Sequence, residues 1–198
     1  MTTGAADLSA RPRRRFEVWG SPIEHSLSPL LHAAAYDRLG LPWTYGRRRV
    51  DESSFARELA ALDSEVHGLS LTMPLKTLAH NAGRRRDAAA SATGAANTLV
   101  RSGDGWAAFN TDVGGLAAAL TEIGLAGAAR ARIVGAGATA TSALLALERI
   151  GVDRVDIAAR RPAAAAPLLA LAASRGIDAT VSPLDAPAGD VELTVRDL

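Results

Sequence analysis

The stretch ARIVGAGATATSALLALERIG, residues 131–151, decides how this chain is read. A short apolar run leads into Gly135-Ala136-Gly137, and a segment with helical spacing follows. The pattern is strand, glycine turn, helix. Glycines at such a turn let the backbone approach a pyrophosphate. The helix behind it offers free N–H groups and the positive end of its dipole. Gly135, Ala136, Gly137, Ala138 and Thr139 are therefore candidate cofactor contacts, in a G-x-G-x-x-A pattern that ends at Ala140. A tight turn without a ligand is the plainer alternative, and the flanking strand and helix favour the dinucleotide.

The next strand refines the cofactor. NAD sites carry an acid at that strand's end. Here VDIAA, residues 155–159, runs into Arg160 and Arg161, and Asp156 lies inside the strand. Guanidinium groups bind phosphate through paired N–H donors, so the two arginines point to the extra phosphate of NADP. Two solvated arginines after a strand are the alternative. An alanine-rich helix over 163–175, a weak strand near 177–181 and a last strand near 191–195 complete this half.

Upstream, strand and helix signals also alternate. FEVWG (16–20), WTYGRRRV (43–50) and GLSLT (68–72) read as strands. Residues 29–39 read as a helix with an apolar stripe of Leu30, Leu31, Ala34, Ala35 and Leu39, and residues 53–62 as a helix capped by Ser53. Pro74 reads as the N1 proline of a further helix. NTLVR (97–101) and WAAFN (106–110) bracket the hairpin turn Ser102-Gly103-Asp104-Gly105, and a helix follows over 113–124. The alternation predicts an α/β chain with mainly parallel strands, and the reset at the glycine turn predicts a second domain, with the boundary near residue 112.

Bulk properties narrow the function classes. With 198 residues and 48% hydrophobic content the chain can bury a core, built largely from small residues because aromatics make up only 4%. A net charge of +1 argues against a nucleic-acid-binding protein. The absence of cysteine excludes a disulfide framework and a thiolate metal site. Residues 1–15, MTTGAADLSARPRRR, read as a disordered tail. Their arginines precede FEVWGSPIEH, which is no signal-peptide core. No run is long and apolar enough to span a membrane. The expectation is a cytoplasmic, soluble protein with a small-molecule substrate, no nucleic-acid, membrane or metal partner, and a monomeric or homodimeric state.

Several polar clusters remain. GSPIEHSLSP, residues 20–29, sets Ser26 and Ser28 ahead of a helix. Ser28 before Pro29 reads first as an N-cap, and Ser26 as a hydroxyl able to donate to a carboxylate at a helix N-terminus. Lys76 ends Ser70-Leu71-Thr72-Met73-Pro74-Leu75-Lys76, where a lysine at a helix start opposes the dipole. It is either a solvated cation or a catalytic group in a cleft. Gly94-Ala95-Ala96-Asn97-Thr98 and Asn110-Thr111-Asp112 sit at strand edges, where turn chemistry is the simple explanation.

Taken in order, GSPIEHSLSP, GLSLTMPLK, GAANTL, NTD and GAGATA resemble the shikimate dehydrogenase family over roughly residues 16–160. The resemblance implies an N-terminal α/β substrate-binding domain over 16–112 and an incomplete Rossmann-like NADP-binding domain over 113–198. It implies that Ser26 and Ser28 bind a substrate carboxylate and that Thr72, Asn97 and Asp112 hold ring hydroxyls. It implies that Lys76 is catalytic and paired with Asp112, and that the reaction is reduction of 3-dehydroshikimate to shikimate with NADPH. A quinate or dual-specific dehydrogenase, or a truncated or shikimate-binding chain without catalysis, are the alternatives. Three positions depart from the family pattern. Ala138 stands where a third glycine is usual, Ser70 where asparagine is frequent, and Ala159 where asparagine precedes the arginine. The family also leads one to expect further elements beyond the counterpart of Leu198, including a G-x-G-M-L-x-x-Q-like segment whose glutamine binds substrate.

Overall fold

The computed structural model describes residues 13–187 and 190–196. The chain is α/β and divides into two compact units. The first runs through Arg86 and resumes over Ala95–Phe109; the second comprises Asp87–Gly94 and Asn110–Leu198. The chain thus leaves the first unit after Phe109, three residues ahead of the expected boundary at 112, and lends residues 87–94 to the second.

In the first unit the strands are β1 (Arg14–Gly20), β2 (Trp43–Arg49), β3 (Val66–Leu71), β4 (Arg85–Arg86), β5 (Thr98–Ser102) and β6 (Gly105–Phe109). Their spatial order is β2-β1-β3-β5-β6-β4. β1 pairs in parallel with β2 and β3, while β5 pairs antiparallel with β3 and β6. β1 starts at Arg14, so Arg14 and Arg15 belong to the sheet and not to the expected tail, whose residues 1–12 lie outside the described ones. The helices are α1 (Ser28–Arg38), α2 (Phe55–Ala60) and α3 (Lys76–Ala82). Strand alternation sends Phe16 toward α1, where its ring meets Tyr36 and Trp43, and Trp19 to the other face, where it meets Phe55 of α2 edge-on. Trp19 is fully buried, with Val66, Leu69, Leu75 and Leu99 around the same core.

Three sequence expectations need correction here. The leucine stripe of α1 does not face the core: Leu30, Leu31 and Leu39 are 69, 66 and 62% exposed. His32 and Tyr36, on the opposite side of the helix, make the contact instead, with His32 stacked on Tyr45 of β2 at 3.9 Å. Aromatic rings bury more area per residue than the leucines would, and the sheet supplies matching rings. Pro74 is not at N1, because Leu75 N–H closes a turn on Thr72 O (2.8 Å) and α3 begins at Lys76. Ser53 does not cap α2; Asp51 organises that turn, accepting from Ser53 Oγ, Ser54 N–H and Ser54 Oγ.

The second unit holds α4 (Ala88–Thr93), α5 (Thr111–Glu122), β7 (Arg130–Val134), α6 (Ala138–Arg149), β8 (Arg154–Ala159), a 3-10 turn (Pro162–Ala165), α7 (Ala166–Ser174), β9 (Asp178–Pro183) and β10 (Leu193–Arg196). Its sheet has the order β10-β7-β8-β9 and is parallel throughout. Ile133, Leu144, Leu147, Val155, Ile157 and Leu168 form its core, interleaved with alanines of α6 and α7. Asn110 caps α5: its side chain accepts from Asp112 N–H at 3.1 Å and, 3% exposed, donates to Thr93 Oγ1 and Ser142 Oγ.

Candidate active site

Each unit has a place where its strand order reverses. In open α/β sheets ligands bind outside the carboxyl ends of the strands at such a switch point. In the first unit the chain leaves β1 for β2 on one side and returns to β3 on the other. The loops after β1 and β3 therefore diverge from a common crevice. Hydrogen bonds lace the backbone there. Thr72 N–H donates to Trp19 O (3.0 Å), Ser21 N–H to Met73 O (3.0 Å), Leu71 N–H to Asn97 O (2.7 Å) and Ala96 N–H to Lys76 O (2.9 Å). Thr72, Lys76 and Asn97 are thus brought to one end of the sheet by main-chain bonds, and their placement does not depend on flexible side chains.

Ser26 and Ser28 come from the loop between β1 and α1. The expected N-cap role of Ser28 is not observed. Ser28 is the first helical residue, and its N–H donates to Ser26 Oγ at 3.3 Å. Leu27 stands at the N-cap without a side-chain cap bond, and Ser26 Oγ accepts from the first helical N–H from outside the helix while keeping its own proton for donation. The loop also carries Glu24, whose carboxyl is held below the usual range by backbone N–H donors, its own and Ile23's, and then by Arg49. Tyr45 and Arg47 follow strand alternation onto the same face of β2. Tyr45 Oη donates to Ser70 Oγ at 2.7 Å, and burial pushes the phenol up. Ser70, at the position where the family often has asparagine, is therefore tied into the sheet face below Thr72. Arg47 Nη1 donates to the carbonyls of Glu24 and Ser26. Neither Tyr45 nor Arg47 stood out in the sequence, although the spacing of Trp43, Tyr45, Arg47 and Arg49 by twos was there to be read.

Asp112 lies in the first turn of α5 in the second unit, where its charge complements the helix dipole.

In the second unit the reversal falls at β7, between β8 on one side and β10 on the other. A cavity of about 380 Å³ opens there, lined among others by Gly135, Ala136, Gly137, Arg160, Arg161 and Leu184. Gly135 has φ +124°, a region that a side chain would disfavour, and its N–H donates to Ala158 O (2.9 Å). Gly137 precedes α6, and Ala138 is the first residue of that helix. Among the described residues no non-glycine has a positive φ, so alanine at 138 fits the backbone without strain. Thr139 lies in the same first turn. Asp156 is engaged inside the sheet, 3.3 Å from Arg132 Nε and accepting from Ser182 Oγ at 3.0 Å. The end of β8 that faces the cavity carries Arg160 and Arg161 and no acid. Size, glycine turn and paired guanidinium groups together fit a dinucleotide with an added phosphate.

Among the described residues no group of His, Asp and Glu is arranged to hold a metal ion, and no helix is long and apolar enough to cross a membrane.

Residues 18–99 match the model of the shikimate dehydrogenase substrate binding domain. The NADP(+) shikimate dehydrogenase of Anaeromyxobacter sp. (strain K) is 39% identical over 182 residues, which cover 89% of this chain. The chain spans 62% of the length of that relative. The crystal structure of Mycobacterium tuberculosis shikimate dehydrogenase superposes with a TM-score of 0.84 at 37% identity, covering 93% of this chain and 71% of that one. The Thermus thermophilus shikimate 5-dehydrogenase, solved in complex with NADP(H) and shikimate, gives 0.81 at 31% identity, covering 93% and 68%. Relatives and structures of this similarity lead to one conclusion: the chain belongs to the shikimate dehydrogenase family.

Proposed function

We propose that the chain reduces 3-dehydroshikimate to shikimate with NADPH, a step toward chorismate and the aromatic amino acids. The observation that supports this most is the main-chain lacing that sets Thr72, Lys76 and Asn97 at the carboxyl ends of β1 and β3. Reducing a ketone requires a hydride on carbon and a proton on oxygen. NADPH, when bound, supplies the hydride. Lys76 supplies the proton and hydrogen-bonds the oxygen as charge develops on it, help typically worth ~10²–10⁴ in rate. Asp112 accepts from a substrate hydroxyl. Ser26 and Ser28 donate to the carboxylate at the start of α1, and Thr72 and Asn97 hold the remaining hydroxyls. A substrate lacking one hydroxyl would leave one of these groups unpaired, which is how such a site discriminates. Arg160 and Arg161 take the phosphate that distinguishes NADP from NAD. On this reading the first unit is the shikimate-binding part and the second unit the nucleotide-binding part.

The test is shikimate-dependent reduction of NADP+ by the purified 198-residue chain, followed by absorbance. Turnover that disappears in Lys76→Ala is expected. Shikimate binding without turnover in the unaltered chain would replace this reading with that of a shikimate-binding protein, and a preference for quinate would move the substrate.

A further inference from the structure

The loop that carries Ser26 runs outside the sheet, and its anchor comes from the edge strand β2. Arg47 Nη1 lies 2.6 Å from the carbonyl oxygen of Glu24 and 3.3 Å from that of Ser26. A single guanidinium nitrogen that binds carbonyls two residues apart sets the curvature of the loop between them. The rest of the loop closes around this grip. Ser26 N–H donates to Ile23 O at 3.0 Å, and Ile23 N–H to Glu24 Oε2 at 3.0 Å. The Glu24 carboxylate stands 3.5 Å from Arg49 Nη1, one more tie to β2. Ser26 Oγ in turn accepts from Ser28 N–H. The direction of the Ser26 hydroxyl is therefore set by the backbone that Arg47 holds.

We propose that Arg47 is a positioning residue for carboxylate binding, acting through the Ser26 loop. It touches the ligand's partner and not the ligand. Two consequences follow from its chemistry. It fixes where the Ser26 hydroxyl points, so the ordering cost of the loop is met before ligand arrives. It also places a permanent positive charge behind the loop, which favours an anionic ligand over a neutral one of the same shape. This rests on the reading of Ser26 and Ser28 as carboxylate donors.

The variants are Arg47→Ala and Arg47→Lys. Loss of a charge-assisted hydrogen bond to each carbonyl predicts that Arg47→Ala raises the KM for shikimate about tenfold or more while kcat and the KM for NADP+ stay within about twofold. Arg47→Lys, which keeps the charge but not the reach of Nη1, recovers part of the loss. Hydrogen exchange supplies a readout that needs no substrate: the Ser26 and Ser28 amides exchange at least about tenfold faster in Arg47→Ala, while amides of the buried β1 core keep their protection. A fall in kcat at constant KM, or unchanged KM with unchanged exchange, overturns the proposal. If the unaltered chain binds no shikimate, the dehydrogenase reading fails by itself. Exchange then decides whether Arg47 clamps the loop, and unchanged exchange removes it.

Discussion

Gly20, the last residue of β1, faces Thr72 so closely that a Cβ on Gly20 would run into Thr72 Cγ2, with Met73 O only 3.0 Å away. The end of β1 and the first residue after β3 are thus fitted to each other without a side chain between them. Gly20→Ala forces Thr72 or its loop to move, at an overpacking cost of about 1–3 kcal/mol. The expected result is a folded chain with weaker shikimate binding and unchanged NADP+ binding, measured by titration calorimetry. Unchanged shikimate affinity would separate Thr72 from the substrate.

The arginines at the end of β8 set cofactor preference. In the double variant Arg160→Ala, Arg161→Ala, the KM for NADP+ should rise roughly ten- to hundredfold, the loss expected for charge-assisted bonds to a phosphate, while the KM for NAD+ changes little. Equal effects on both cofactors would show that the arginines bind some other part of the dinucleotide.

Asn110→Ala removes the cap of α5 and two buried donors at once. A loss of about 2 kcal/mol is expected for the second unit, with Ser142 Oγ and Thr93 Oγ1 each losing a donor. Chemical denaturation followed by far-ultraviolet circular dichroism checks this. A variant as stable as the parent would show that water takes over all three bonds.

The turn before α2 carries a pH signature. Hydrogen bonds from Ser53 and Ser54 lower the Asp51 carboxyl from 3.8 to about 2. A depressed folded-state value stabilises above the unfolded value and fades as pH falls through the folded one. The melting temperature of Asp51→Asn should lie below that of the parent near neutral pH, and the two should converge as pH falls from 3.8 toward 2. A gap that persists in acid would assign the effect to packing. Asp51 is at the surface, so the gap is small.

Strong local signals carried most of the fold. The glycine turn at 135, the strand before it and α6 behind it were legible because a special backbone position coincided with a change of hydrophobic period. The hairpin between β5 and β6 was legible for the same reason, since Gly103 takes the positive φ its turn needs. Segment 85–94 was not. β4 has two residues, and α4, sequence AAASAT, has no apolar–polar contrast to show a period, although Asp87 and Gly94 cap it at either end. α1 misled in the opposite way: its leucines gave a clear stripe, and the side that packs on the sheet is marked by His32 and Tyr36. At the candidate site, hydroxyls and the lysine stood in recognisable strings. Arg47 and Tyr45 sit in an ordinary strand sequence, and only the register of β2 against β1 brings Arg47 to the serine loop and Tyr45 to Ser70.

The placement of α4 has a consequence for anyone recombining this chain with a relative. Neither unit is a contiguous stretch of gene, because residues 87–94 are inserted from one into the other. A fragment that stops at Phe109 would keep Ala89 but lose Val113 and Leu145, which cover it. A fragment that starts at Asn110 would lack Thr93, one of the groups that bind the Asn110 side chain. A chimera that exchanges the second unit must carry its eight inserted residues with it, through junctions at 86/87, 94/95 and 109/110, or it will pair a helix with a surface that evolved against a different one.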